Sequence, residues 1–439
     1  MNDSMQDLAE KALDLTRELG ADEAKVSLSR ASHVELDQRE GRLEKSNEAV
    51  TQGLTLTLMV DSRYSSHSTS DLRPDALRKF VSRAVDATRV LEPDPDYRQL
   101  PLDQMGQHPL DQLDLVDATG AREPKAREDI VAGLEEAVLS RKKENLISAT
   151  TYLWESSSSS LVLFSNGFVG QASSTQYGLG GEVTLSEADG KRPEASAFFS
   201  ARHLEDLPNI DAVADEIWSR SDETVGGSAT QSDRYTLLLA NRSVGRILGA
   251  ALSPLSGASI WQGRSLYVDK LGERIGSEAL SVYDEPLIPR AHGSRAFDKD
   301  GLRPKSRAVI KEGVLQTWLL DAYHSRKLDR DVTGGGLNNI IVPVGNRSWK
   351  EILKDHDQAI RVTSFLGGNS NPTSGDFSFG IRGQLYRNGE RIQNVVEMNV
   401  AGNILDLLER FQEAADDPWM YSSYRVPSLV FEGIQFSGS

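Results

Sequence analysis

The amino-terminal residues MQDLAEKALDLTREL place Leu8, Ala12, Leu15 and Leu19 on one face, and Gly20 follows as a stop, so the spacing predicts an amphipathic helix over 5–19. From Glu23 to about Ser70 the period changes to two: Ala24-Lys-Val-Ser-Leu-Ser and Leu54-Thr-Leu-Thr-Leu-Met-Val alternate, with turn residues between them, as in an antiparallel meander. Asp71-Leu-Arg-Pro-Asp-Ala-Leu opens a second helix with Pro74 in its first turn and Ala76, Phe80, Ala84 and Ala87 on one face. Residues 92–124, rich in Pro, Asp and Gln, read as an ordered excursion or linker, and a further helix is expected over about 124–141.

Residues 145–202 return to strands, with hairpin signals at Asn166-Gly167 and Asp189-Gly190. The five serines 156–160 suggest a turn or a polar edge strand. A helix near 209–221 precedes the Gly/Ser/Thr-rich run 223–233, the best candidate for a domain boundary. Beyond it come a strand at 235–240, the small-residue segment RILGAALSPLSGASI (246–260), hairpins over 307–320 and around Asn388-Gly389, a short helix near 403–411 and a strand from Ser428. Hairpins outnumber plausible βαβ crossovers, so the expected class is α+β, antiparallel or mixed sheets with packed helices. Two domains are expected, 1–228 (helix, meander, helices, hairpins) and 229–439 (mostly β).

Composition narrows the chemistry. Sixty-five acidic against 49 basic residues give a net charge of −16, which repels phosphate backbones and argues against nucleic-acid binding. No apolar run reaches the ~18–20 residues of a membrane span, and the acidic, amphipathic start is unlike a signal peptide, so a cytoplasmic location is expected. The chain has no cysteine, which removes thiol nucleophiles and thiolate metal sites. No two of its seven histidines lie within five residues of each other, so HExxH-type spacing is absent.

Several constellations are candidates for chemistry. His292, in RAHGSR, and His324, in DAYHSR beside Tyr323, each have a serine and charged residues nearby, as a metal-independent hydrolase would need; no GxSxG elbow accompanies them, and loop histidines are the plainer reading. Thr333-Gly-Gly-Gly336 lacks the frame of a phosphate loop and reads as a turn admitting a close backbone approach. Asp284-Glu285 and Asp298-Lys-Asp300 have the composition of solvated turns. The loop containing Asn371, Pro372, Thr373, Gly375, Asp376 and Ser378 fits either an Asx-type turn or a substrate-contacting loop.

The order of segments carries a resemblance. GADEAKVSLSR, GLTLTLMVDSRYSSHSTSDL, LSGASIWQGRSLYVDKLGERIGSEALSVYDEPLIP, GVLQTWLLDAYHSRKL, TGGG, NPTSGDFSFGIRG, AGNILDLL and PSLVFEGI follow one another as in the TldD/PmbA family, also described as candidate modulators of DNA gyrase. Over nearly its whole length the chain resembles the PmbA (TldE) branch, which implies the two-domain fold of that family. TldD-type subunits carry an HExxxH helix and a later cysteine that bind zinc, with the glutamate as general base. Laid on this chain, the motif's histidines fall at Gly249 and Pro254 and its glutamate at Ala250. The resemblance therefore implies a degenerate site, no catalytic residue, no metal and no cofactor on this chain, and zinc on a TldD-like partner. It implies a non-catalytic subunit of a heterodimeric peptidase acting on small unfolded polypeptides or leader peptides. Loop 371–378 would line the cleft, with His292, Tyr323 and His324 as polar contacts; homodimers are also allowed. The alternatives are a hydrolase using His292 or His324 and a protein that modulates gyrase by contact.

Overall fold

A computed structural model describes residues 3–120 and 122–438; Met1, Asn2, Ala121 and Ser439, which fall within the expected domain ranges and linker, lie outside the described residues. The fold is α+β. The first domain contains α1 (Asp3–Glu18), β1 (Glu23–Arg39), β2 (Arg42–Val60), β3 (Arg63–Thr69), α2 (Pro74–Thr88), α3 (Leu110–Leu113), α4 (Pro124–Ser140), β4 (Leu146–Phe164), β5 (Val169–Leu185), β6 (Glu194–Ala201) and α5 (Ile210–Asp222). Its strands form one antiparallel sheet in the order β3-β2-β1-β4-β5-β6. The turn at Asn166-Gly167 is built as its sequence requires: Gly167 sits at φ +101° and the Asn166 side chain accepts from the Phe168 N–H.

The strands are longer than the alternation alone indicates. Ala24, Val26 and Leu28 bury beneath α1 and α2, whereas Leu36 joins a separate core beneath α4 and α5. A 19-residue strand spans about 60 Å. Helices of 15–17 residues reach only about 25 Å, so two helix pairs cover the ends and leave the waist bare. The five serines 156–160 occupy that waist, which corrects the expectation of a turn or edge. They lie mid-strand in β4, paired on one side with Ser29–His33 and on the other with Ala172–Gln176. Small polar residues suit a strand that is central in the sheet yet open to water on its face.

The second domain contains β7 (Asp233–Leu239), α6 (Val244–Leu252), α7 (Gly257–Trp261), β8 (Val282–Asp284), β9 (Arg307–Lys311), β10 (Val314–Leu315), α8 (Ala322–Lys327), β11 (Ile340–Ile341), α9 (Trp349–Ile352), β12 (Gln358–Ser370), β13 (Asp376–Arg387), β14 (Glu390–Asn403), α10 (Ile404–Glu409), β15 (Phe411–Ala414), β16 (Tyr424–Arg425) and β17 (Leu429–Gly438). The main sheet runs β14-β13-β12-β7-β17-β15, with β7 and β12 parallel, and β14 also pairs with β17 so that the sheet closes on itself. A smaller sheet, β10-β9-β8-β11-β16, lies beside it. Asn388 and Gly389 both have positive φ, the two-residue turn that matches strand twist, and join β13 to β14. No described helix is long and apolar enough to cross a membrane.

The 92–124 excursion is a strap across the second domain. Tyr97 stacks between Tyr64 of β3 and Tyr323 of α8, with ring centroids 4.0 and 3.8 Å away. Lys327 pairs with Asp94 and Asp96, both at 2.9 Å. Arg326 donates to the carbonyls of Asp96, Arg98 and Gln99 at 2.8, 2.7 and 3.0 Å. Arg326→Ala removes all three contacts, and we expect a loss of about 1–2 kcal/mol in denaturant unfolding together with faster proteolytic cleavage within the strap.

Candidate functional site

The segment 246–260 folds as α6, a tight turn over Ser253–Leu255, and α7. Val244, Ile247, Leu248, Ala251 and Leu252 recur at helical spacing and are buried in the main core of the second domain. Pro254, also buried, lacks the N–H that would continue the helix, and Ser256 caps α7 by accepting from the Ser259 N–H. On its other face α6 presents Gly245 and Gly249, and the half-buried Tyr424 ring lies along both. A Cβ at Gly245 would stand 3.5 Å from Tyr424 Cγ, and one at Gly249 would stand 3.6 Å from the Tyr424 hydroxyl oxygen. Ala250 packs against the core.

These residues do not fit a zinc ion. Gly249, Ala250 and Pro254 offer no side-chain donor, and the Tyr424 hydroxyl lies in van der Waals reach of a side chain at 249. Among the described residues no group of three or more His, Cys, Asp or Glu side chains is arranged to hold a metal.

Ser243 and Arg246, at the start of α6, open instead onto a cleft of about 690 Å³ between the two domains. Its walls come from β6 and α5 of the first domain and from β12, β13 and Trp419 of the second. Arginines dominate it. Glu216 accepts from Arg220 at 2.7 Å and from Arg242 at 3.2 Å; Glu223 pairs with Arg242 and, at 3.1 Å, with the buried Arg361. Burial lowers the pKa of Arg220, the repulsion of Arg242 adding to the effect. Arg246 donates to the Gly368 carbonyl at 2.9 Å and lies over the Phe379 ring at 4.7 Å, and Arg382 donates to the Glu194 carbonyl at 3.2 Å. Sequence reasoning missed this cluster because its members lie at 220, 242, 246, 361 and 382, with no local motif to announce them.

The other residues singled out from sequence are dispersed. Asn371 accepts from the Thr373 and Ser374 N–H groups at 2.9 and 3.3 Å, Ser374 donates to Asp376, and Asn403 donates to Asp376 at 3.0 Å. Gly375, at φ +82°, turns the chain in the conformation glycine adopts most readily. Pro372, Thr373 and Ser378 are exposed at the tip of the β12–β13 hairpin, whose stem lines the cleft. His324 and Tyr323 sit on α8 against the strap: Asp321 caps that helix, accepts from His324 Nδ1 at 2.7 Å and pairs with Lys299 at 2.6 Å, while Tyr323 donates to Asp94 at 2.8 Å. No hydroxyl of the described residues is hydrogen-bonded to His324 Nε2, so the pair lacks a nucleophile. Gly257 gives the His324 ring its room, since a Cβ there would stand 2.5 Å from the His324 Cβ. The carbonyls of Thr333, Gly334 and Gly336 accept from Arg307, so that glycine turn presents acceptors where a phosphate cradle needs N–H donors. Asp284 is a fully buried partner of Arg307 and Asn338, and Asp298 closes its own turn by accepting from the Asp300 and Leu302 N–H groups.

His292 lies 2.9 Å from the Ser200 hydroxyl, far along the chain from the partners its sequence neighbours suggested. Burial first, then the Arg202 and Arg425 charges, push its pKa down to about 4. Such an imidazole is a weak base, and no ion pair joins it to a carboxylate among the described residues. A Ser–His–acid hydrolase is therefore not assembled here.

Comparison with known proteins agrees with this architecture. Residues 232–438 match the PmbA/TldA metallopeptidase C-terminal domain, and residues 24–88 match PmbA/TldA metallopeptidase domain 1. Metalloprotease PmbA of Escherichia coli O157:H7 is 26% identical across 99% of this chain and 97% of its own length. A Bacteroides thetaiotaomicron protein described as a candidate modulator of DNA gyrase superposes with a TM-score of 0.96 at 32% identity, covering 100% of both chains. TldE of Thermococcus kodakarensis, at 18% identity, shares the fold with a TM-score of 0.85 over 98% of this chain and 100% of its own.

The His292 environment yields a pH dependence. Its folded-state pKa lies below the unfolded value near 6.5, so its contribution to stability is present above pH 6.5 and is lost as pH falls from there toward 4. Allowing for solvent screening, we expect about 1 kcal/mol lost by pH 5, and His292→Gln to flatten that part of the profile in urea unfolding at pH 7 and pH 5.

Proposed function

The chain belongs to the PmbA/TldD metallopeptidase family, and on that premise we propose that it is a TldE-like partner subunit, itself without catalysis, of a TldD-type zinc peptidase acting on small unfolded polypeptides. The observation that carries this reading is the chemistry of α6. Where the resemblance sets two zinc-binding histidines and a general base, the chain has Gly249, Pro254 and Ala250, and Tyr424 covers the glycine face. Metal and base then come from the partner, and this chain supplies the fold, the partner surface and part of the peptide-binding wall. The shared fold with a protein named TldE supports the same assignment. An extended peptide suits such a role, because backbone hydrogen bonds and shallow pockets hold it without a fixed sequence.

Metal content and native mass test the reading. The chain purified alone is expected to carry no stoichiometric zinc and to leave an unfolded peptide intact. Co-expressed with a TldD-like chain, it is expected to form a heterodimer with one zinc and peptidase activity. Chelator-sensitive cleavage by the pure chain overturns the proposal. So does repeated co-purification with a topoisomerase and no TldD-like protein, which would favour modulation of gyrase.

A further inference from the structure

The arginine cleft between the domains is charged against the sign of the molecule. A chain of net charge −16 gathers Arg220, Arg242, Arg246, Arg361 and Arg382 in and behind one cavity. Two carboxylates, Glu216 and Glu223, are paired with the three inner guanidiniums, and Glu194 stands at the rim. Arg246 and Arg382 have no carboxylate partner among the described residues. Each is steered into place by one backbone carbonyl, which leaves most of its N–H groups free. Arg220, in the same wall, keeps a buried Nη2 without a protein acceptor. Apolar surface lies beside these charges: Phe198 and Leu366 are 49% and 45% exposed, and both line the cleft.

We propose that this cleft binds acidic, extended polypeptide, whose carboxylates pair with Arg246 and Arg382 while neighbouring apolar side chains rest on Phe198 and Leu366. The proposal rests on the peptidase-subunit reading and adds the class of substrate that the subunit would select. Guanidinium forks match carboxylate geometry and bind it through paired, charge-assisted hydrogen bonds. The cleft volume falls within the range of about 300–1,000 Å³ usual for ligand sites. Nucleic acid is the less suitable polyanion: its closely spaced phosphates would meet two free arginines locally and a −16 molecule at every other distance.

The test is fluorescence anisotropy on the full-length chain at low salt. The probes are a short unfolded peptide alternating Glu with apolar residues, its Glu→Gln counterpart and single-stranded oligothymidylate. The acidic peptide is expected to bind at least about tenfold more tightly than its Gln counterpart. The double variant Arg246→Gln, Arg382→Gln should abolish that preference, while Arg83→Gln on the remote α2 should leave it intact. Arg246→Lys with Arg382→Lys keeps the charge but loses the fork, and should fall between; circular dichroism and native mass verify that each variant folds. Absence of binding, equal affinity for the two peptides, an unchanged double variant, or tighter binding of oligothymidylate each overturns the proposal. The subunit reading fails separately: a chain that prefers acidic peptide yet never joins a TldD-like partner sinks that reading alone, and a heterodimer without acidic preference sinks only this one.

Discussion

Glu223 holds the molecule's two halves in register. It closes α5 at the end of the first domain, is 9% exposed, and places one carboxylate oxygen on Arg242 beside α6 and the other on Arg361 of β12. A carboxylate so far from water is tolerable only because two cations meet it, and each cation depends on the carboxylate in the same way. The walls of the cleft are thus tied through one buried group, and separating them would strand charge in a poorly solvated place. Glu216 repeats the bridge nearer the surface by joining Arg220 of α5 to Arg242. With two carboxylates offsetting most of the charge of the three inner arginines, the outer pair faces the opening.

On the far side of the molecule the strap performs the corresponding task with aromatic rings and backbone carbonyls. Tyr97 lies between a tyrosine of each domain, and Arg326 gathers the carbonyls of Asp96, Arg98 and Gln99 in the strap. Two unlike fastenings, one ionic and one stacked, fix the relative position of the sheets from both ends. A cleft made by two domains keeps its shape only under such a condition, because interfaces within a chain are by default free to move.

How much of this was legible in the sequence depended on range. The existence of helices α2 and α5, and turns with their own chemistry such as Asn166-Gly167 and Asn388-Gly389, are local facts legible in the sequence. The packed face of α2 is not the expected one, since Leu77, Val81, Ala84, Val85 and Thr88 are buried and Ala87 is exposed. The serine run 156–160 was misread because its meaning is set by what fails to cover it: the gap between two helix pairs, which no window of sequence displays. The composition of 92–124 left an ordered excursion and a linker equally open, because its fastening to α8 needs partners more than 200 residues away. The arginine cleft was illegible for the same reason, since six segments contribute to it and none has a pattern of its own. His292 shows the converse: its sequence neighbours suggested a catalytic group, while its partial burial and its spatial neighbours Arg202 and Arg425 disfavour its charged form.

The α6 segment joins these levels. Its buried face is fixed by packing alone, with Val244, Ile247, Leu248, Ala251 and Leu252 filling the core whatever the opposite face carries. A helix that must hold two side chains on one metal cannot end between them. Here Pro254 breaks the helix after Leu252, and the small residues of the outer face let Tyr424 lie close against it. The side carrying Gly245 and Gly249 is therefore packed against Tyr424. Placing histidines at Gly249 and Pro254 would not by itself rebuild a metal site, because α6 ends at Leu252, short of position 254, and the chain has no cysteine to complete the set. Both features would have to change together, and α6 stands as a packing helix beside the arginine cleft.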